Sequence, residues 1–320
     1  MCQRPTRYHW LLVFCAALLA PAGSAAEPSS TQKHQADDDR ASSDLSCFED
    51  LQVAGECIGK CRIDEIHSEL STAYDDYQND VKDYTALLIK REKLGGKLSP
   101  RQFAKIKVRE PKQTDEGSEV PLSVYMKFYR PQTLAGREIL FVEDQRDGLM
   151  LARKGGMVFA NYTQALPTDH PFAKAESNYL VTDTCVNIMF QTALDQLRCH
   201  ANSADCELSE FERKSIKGKH CRHFELRLHK KADDVPYHFV RFMVDAELRL
   251  PIYVATYGWE TDASHQTKSG KESEANLDRT LLEEFFLAGL KINVGLGDED
   301  FEADHPDYQF SADPKLAMQD

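Results

Sequence analysis

The sequence predicts an α+β fold in which an antiparallel sheet of about nine or ten strands is covered on its apolar face by two helices. Three observations carry this. Apolar residues recur with period two through most of the chain, and a period near 3.6 breaks in twice. Turn pairs separate the extended runs, Gly95-Gly96 and Asp147-Gly148 being the clearest.

The 320 residues open on a basic head (Arg4, Arg7), an apolar run over residues 10–20 and the small residues Gly23-Ser24-Ala25-Ala26. That order is expected of a secretory signal peptide over residues 1–26, the run being short for a membrane span. Residues 27–56 hold little to bury and are expected to be a polar, disordered tether. Ordered structure is expected as one domain over residues 57–311, followed by a flexible tail at 312–320. No later stretch is long and apolar enough to span a membrane. The protein is therefore expected in the periplasm or outside the cell.

The formal charge is −13, and loss of Arg4 and Arg7 makes it more negative. Such a surface argues against nucleic acid and anionic lipid as general partners. Seven of the nine cysteines lie beyond residue 26, and an oxidising compartment makes disulfides plausible. Connectivity does not follow from sequence. Cys199, Cys206 and Cys221, which bracket a helix end and the strands after it, are expected to supply one bridge.

The first helix follows from Ile63, Ile66, Leu70, Tyr74, Tyr77 and Val81, spaced by threes and fours. Residues 84–93 then read as a strand ending at Gly95-Gly96. Ala104, Ile106 and Val108 alternate with Lys105, Lys107 and Arg109. In the next strand Val124, Met126 and Phe128 point one way, and Tyr125, Lys127 and Tyr129 the other. Residues 137–143 and 149–154 form a hairpin about Asp147-Gly148. The second helix carries Val186, Met189, Phe190, Ala193, Leu194 and Leu197, with Thr182 or Asp183 as its N-cap. Strands resume with Phe224, Leu226 and Leu228, then with Val240, Phe242 and Val244, then over 251–259. A polar insertion at 261–278 precedes the last extended run, residues 281–293.

Chemistry is sparse. His220, Cys221, His223 and His229 crowd together, but a zinc site needs converging ligands, and the histidines read as the solvated face of an alternating strand. The acidic groups at 37–39 and 298–304 fit a tether and a surface loop. G-x-S-x-G, P-loop, dinucleotide and H-E-x-x-H motifs are absent. No catalytic residue, metal site or cofactor is expected, and the protein reads as a non-enzyme.

Four stretches together resemble a known exported bacterial family: DYTALLIKREKLGGKL at 83–98, PLSVYMKFYRPQTLAGREILFVE at 121–143, FMVDAELRLPIYVATYGW at 242–259 and LKINVGLGDEDFEADHPDYQF at 290–310. The chain is identified on them, over residues 62–310, as similar to domain of unknown function 1571. It departs from that pattern at Cys185 (glycine is usual), at Glu260 (proline is usual) and in the insertion 261–278. The resemblance implies an architecture similar to the LolA/LolB lipoprotein carriers: a half-barrel of about 9–11 strands with helices on its concave face. The function it suggests is binding or carriage of a lipid or lipoprotein acyl chain in the half-barrel. Val124, Met126, Phe128, Val240, Phe242 and Val244 would line the concave face. The alternative is a non-catalytic module that binds another envelope protein, with an exported hydrolase third.

Overall fold

The computed structural model describes residues 56–113, 117, 119–156, 161–200, 203–216, 219–231, 235–259, 279–312 and 314–316. All lie in one compact unit, residues 51–320. The expected signal peptide, the tether before residue 56 and the 261–278 insertion fall outside the described residues.

Alternating apolar residues produce one open, curved antiparallel sheet. Its strands are β1 (Cys57–Lys60), β2 (Asp83–Leu94), β3 (Lys97–Leu98), β4 (Gln102–Arg109), β7 (Ser123–Arg130), β8 (Glu138–Val142), β9 (Leu149–Arg153), β10 (Thr163–Pro167), β11 (Cys206–Ile216), β12 (Lys219–Leu228), β13 (Tyr237–Asp245), β14 (Pro251–Gly258), β15 (Leu281–Ile292) and β16 (Lys315–Leu316). The short strands β5 (Lys112–Gln113) and β6 (Glu119–Val120) pair apart from it. The order across the sheet is β1-β11-β12-β13-β14-β15-β2-β4-β7-β8-β9-β10-β16, with β3 hairpinned onto β2. Only the β10–β16 pair among these is parallel. That last strand lies within the stretch expected to be a free tail, because its backbone finds the open edge of β10.

Both expected turn pairs are made. Gly95 and Gly96 take φ of +54° and +83°, and the β8–β9 turn runs through positive φ at Asp144, Arg146, Asp147 and Gly148. Glycine relieves the Cβ clash of that region.

The helices are α1 (Ile63–Asp80), the single turn α2 (Pro171–Lys174) and α3 (Cys185–His200). Helix α3 buries Val186, Met189, Phe190, Ala193 and Leu197 and packs on β14, β15 and α1. Helix α1 buries Ile66, Leu70, Ala73 and Tyr77, and the rings of Tyr74 and Tyr77 lie 5.2 and 5.7 Å from Phe190. Helix α3 starts one residue later than an Asp183 N-cap would give and two later than Thr182, since the Asp183 carboxylate accepts from the Leu180 amide, 2.8 Å away.

The opposite sheet face is covered by the C-terminal segment. Asp83 accepts from the amides of Val294, Gly295 and Leu296 at 2.6, 3.2 and 3.3 Å, turning the chain back onto the sheet after β15. Tyr308 then stacks on Tyr125 at 3.7 Å, and Phe301 joins Leu140, Val142 and Leu151 in the core there. The Gln309 amide donates to Glu138, which also accepts from Tyr125 Oη.

Candidate functional site

Directly opposed residues of paired strands share a face, so the register places every candidate side chain. One row is Tyr84–Val108–Val124–Phe141, each member no more than 5% exposed. A second, Leu88–Ala104–Phe128, is also buried. Between them runs Ala86–Ile106–Met126–Ile139–Ala152–Gln164, crossing β2, β4, β7, β8, β9 and β10. Ala86 and Ile106 are buried, whereas Met126, Ile139, Ala152 and Gln164 are half-exposed. The stretch from Met126 to Gln164 spans three strand spacings, about 14 Å.

This is the helix-bearing face. Tyr84 shares it, with its hydroxyl beside Thr184 and Val186 at the start of α3. Phe285, opposite Lys90 and Val254, packs edge-on against Tyr179 just before α3. Val254 opposes Phe242, so Val240, Phe242 and Val244 occupy the same face as Val124, Met126 and Phe128. The two groups do not meet. They sit on β13 and β7, five strand positions or about 24 Å apart along the sheet. The β13 group is buried under the helix layer, with Phe242 stacked on Phe224 at 5.0 Å and Arg222 bridging to Glu69 of α1 at 2.6 Å. Of the six candidates only Met126 is half-exposed. Ile139, Ala152 and Gln164 complete the accessible row, and sequence reasoning did not single them out.

Residues 168–183 connect β10 to α3. They leave β10 at Pro167, opposite Leu149, and reach β2 and β15 where Glu92 accepts from Ser177 Oγ and the Asn178 amide at 3.0 and 2.7 Å. On the way Glu176 accepts from Arg137, just ahead of β8.

Two other clusters hold titratable groups. Tyr77, Tyr84, Glu110, Thr184 and Cys185 gather between α1, β2 and the start of α3, with Tyr77 donating to Glu110. Burial raises the Glu110 carboxyl and pushes the Cys185 thiol up to about 12. A thiol so placed supplies little thiolate and is a poor nucleophile. On the opposite face Glu225 accepts from Arg241 Nε at 3.0 Å, and Arg101 and Tyr253 reach Glu284 at 3.3 and 2.9 Å. His223, expected on a solvated face, is fully buried here, 3.4 Å from Glu225 and stacked on Phe211 at 5.0 Å. The charges of Glu225 and Arg241 let this strand face turn inward. His229 lies beyond the strand and is exposed. Among the described residues no three His, Cys, Asp or Glu side chains converge as metal ligands.

The bridge expected among Cys199, Cys206 and Cys221 does not join two of these three: Cys199 is disulfide-bonded, whereas Cys206 and Cys221 are in no disulfide. Cys221 is buried in β12, and Cys206 Sγ donates to the carbonyl oxygens of His200 and Ser203 at 3.3 and 3.4 Å.

A family model described as protein of unknown function (DUF1571) matches residues 81–310. No curated protein matches the chain. Among solved structures, the chain is similar to a DUF1329 family protein from Desulfovibrio piger at 14% identity and TM-score 0.34, covering 76% of this chain and 98% of that one. A LolA superfamily protein from Nitrosomonas europaea is similar at 12% identity and TM-score 0.29, with 74% and 97% covered.

Proposed function

The chain belongs to the family described as protein of unknown function DUF1571, and we propose that it is an exported cell-envelope protein that binds an apolar ligand, a lipid or lipoprotein acyl chain, along Met126, Ile139 and Ala152. The observation that carries this reading is the half-exposed row itself. Apolar side chains in a sheet of this size normally end up either buried as core or scattered singly at the surface. Here three stand in register, partly open, between two buried rows. Met126 adds a side chain that adapts its packing to different guests.

The basic head and apolar run at residues 4–20 support export. A ligand lying along the row buries about ten methylenes, worth about 8 kcal/mol at about 0.8 kcal/mol each. Completing the burial of three half-exposed side chains adds about 3 kcal/mol. Association costs at least about 4 kcal/mol, which leaves a dissociation constant of roughly ten micromolar.

Titration of the purified protein with a fluorescent fatty acid tests this. Saturable uptake that a non-fluorescent acyl chain displaces is the predicted outcome; no uptake up to the probe's solubility limit refutes the reading. A second reading, a non-catalytic envelope module that binds a protein, is favoured by Phe172, 66% exposed on α2 in the segment that follows β10. Displacement of the probe by apolar peptides but not by fatty acids would support it instead. Turnover on a panel of simple esters would restore an enzymatic reading, for which the inert Cys185 thiol offers no nucleophile.

A further inference from the structure

We propose that residues 168–183 form a strap that covers the apolar row, is latched to the sheet through Glu92, and opens as a local unit. The inference deepens the ligand-binding reading by naming what controls entry to the row.

Two features of the strap lead to it. Not one of its sixteen residues is buried. A segment whose apolar contact with the sheet is the edge of Tyr179 on Phe285 is drawn from the low-stability end of a fold.

The strap's attachment is concentrated at one end. Over residues 168–175 the hydrogen bonds are internal or to Pro167: the His170 amide to Pro167 O, the Ala173 amide to His170 O, the Phe172 amide to His170 Nδ1, and Lys174 Nζ to Asp169. From Glu176 onward the strap meets the sheet through charged groups. Glu176 pairs with Arg137. Glu92, 1% exposed, takes Ser177 Oγ and the Asn178 amide while keeping Lys90 Nζ at 2.6 Å. Tyr179 Oη donates to Glu283 at 2.8 Å. Because Lys90 stays with Glu92 when the strap lifts, opening leaves no bare buried carboxylate. Hydrogen bonds to a charged group are strong yet directional, so they release together once the geometry is lost.

Glu92→Gln tests this, with the paired change Arg137→Gln and Ser177→Ala as a second latch variant should the first fail to fold. Two signals are read: amide exchange by mass spectrometry, and the alkylation rate of Ile139→Cys, placed in the row. The prediction is an at least tenfold faster exchange over residues 170–180 and an at least tenfold faster alkylation, with α3 as protected as in the parent. Unchanged strap exchange overturns the latch. A rise shared equally by α3 overturns local opening. Faster strap exchange without faster alkylation overturns the claim that the strap covers the row. Fatty-acid uptake by the parent protein is scored separately, so a failure of the ligand reading leaves these outcomes distinguishable.

Discussion

Replacing Met126 with Asp separates a binding surface from an ordinary core, because Met126 is half-exposed while its neighbours Val124 and Phe128 are 1% and 5% exposed. A carboxylate at Met126 can keep water. The fold then loses only part of a methionine's burial and some strand preference, about 1–2 kcal/mol together. A carboxylate at Val124 has no water and no partner, and costs several kcal/mol. Denaturant titration should therefore rank Met126→Asp as mild and Val124→Asp as severe. Binding responds in the opposite sense. An acyl chain laid on the row meets a charge that it must desolvate, which weakens binding by about 1.4–3 kcal/mol, or about 10- to 100-fold. A folded Met126→Asp protein that binds the fluorescent fatty acid as tightly as the parent would refute the placement of the ligand. Unfolding as severe as that of Val124→Asp would show that Met126 is core.

Asp83→Ala removes the acceptor for three backbone amides at residues 294–296. It should cost about 2–4 kcal/mol and speed amide exchange across residues 293–311 before the rest of the sheet; uniform exchange would contradict this. Burial alone would raise the Glu225 carboxyl, but its hydrogen bond to His223 and the charges of Arg241 and Arg227 outweigh burial and bring it down to about 2. Its folded value thus lies below the unfolded one. The stability it contributes, about 3 kcal/mol, is full above about pH 4.5 and is lost as pH falls towards 2. Glu225→Gln should flatten the stability profile in that window, and an unchanged acid limb would contradict the assignment. Alkylation of the native protein should modify exposed Cys57 rapidly and leave buried Cys185 and Cys221 unmodified until denaturant is added. Early labelling of Cys185 would show that the start of α3 opens.

Period-two alternation in the sequence located most of the long strands because each has one face in a continuous core, but not β11 (Cys206–Ile216), whose charged residues break the alternation. The stripes of α1 and α3 were legible for the same reason. Strand β10 was not, because Thr163 to Pro167 shows no run long enough to read, and it forms only because β9 offers an edge. Strand β16 likewise answers to a partner distant in sequence. The C-terminal motif could be recognised by resemblance, yet its docking depends on Asp83, more than 200 residues away. His223 misled for an electrostatic reason: alternation marks faces, and a buried Glu225–Arg241 pair makes a charged face look solvated. For the candidate site, Met126 could be picked from its strand alone. Ile139, Ala152 and Gln164 could not, since their membership comes from cross-strand register.

The most direct test of the central claim is native mass spectrometry of the protein purified from its own cells, followed by organic extraction. The account predicts an added mass that extraction removes and identifies as a lipid or acyl chain, with less of it on Met126→Asp. Bare protein in every charge state, together with no uptake of the fluorescent fatty acid, would contradict it.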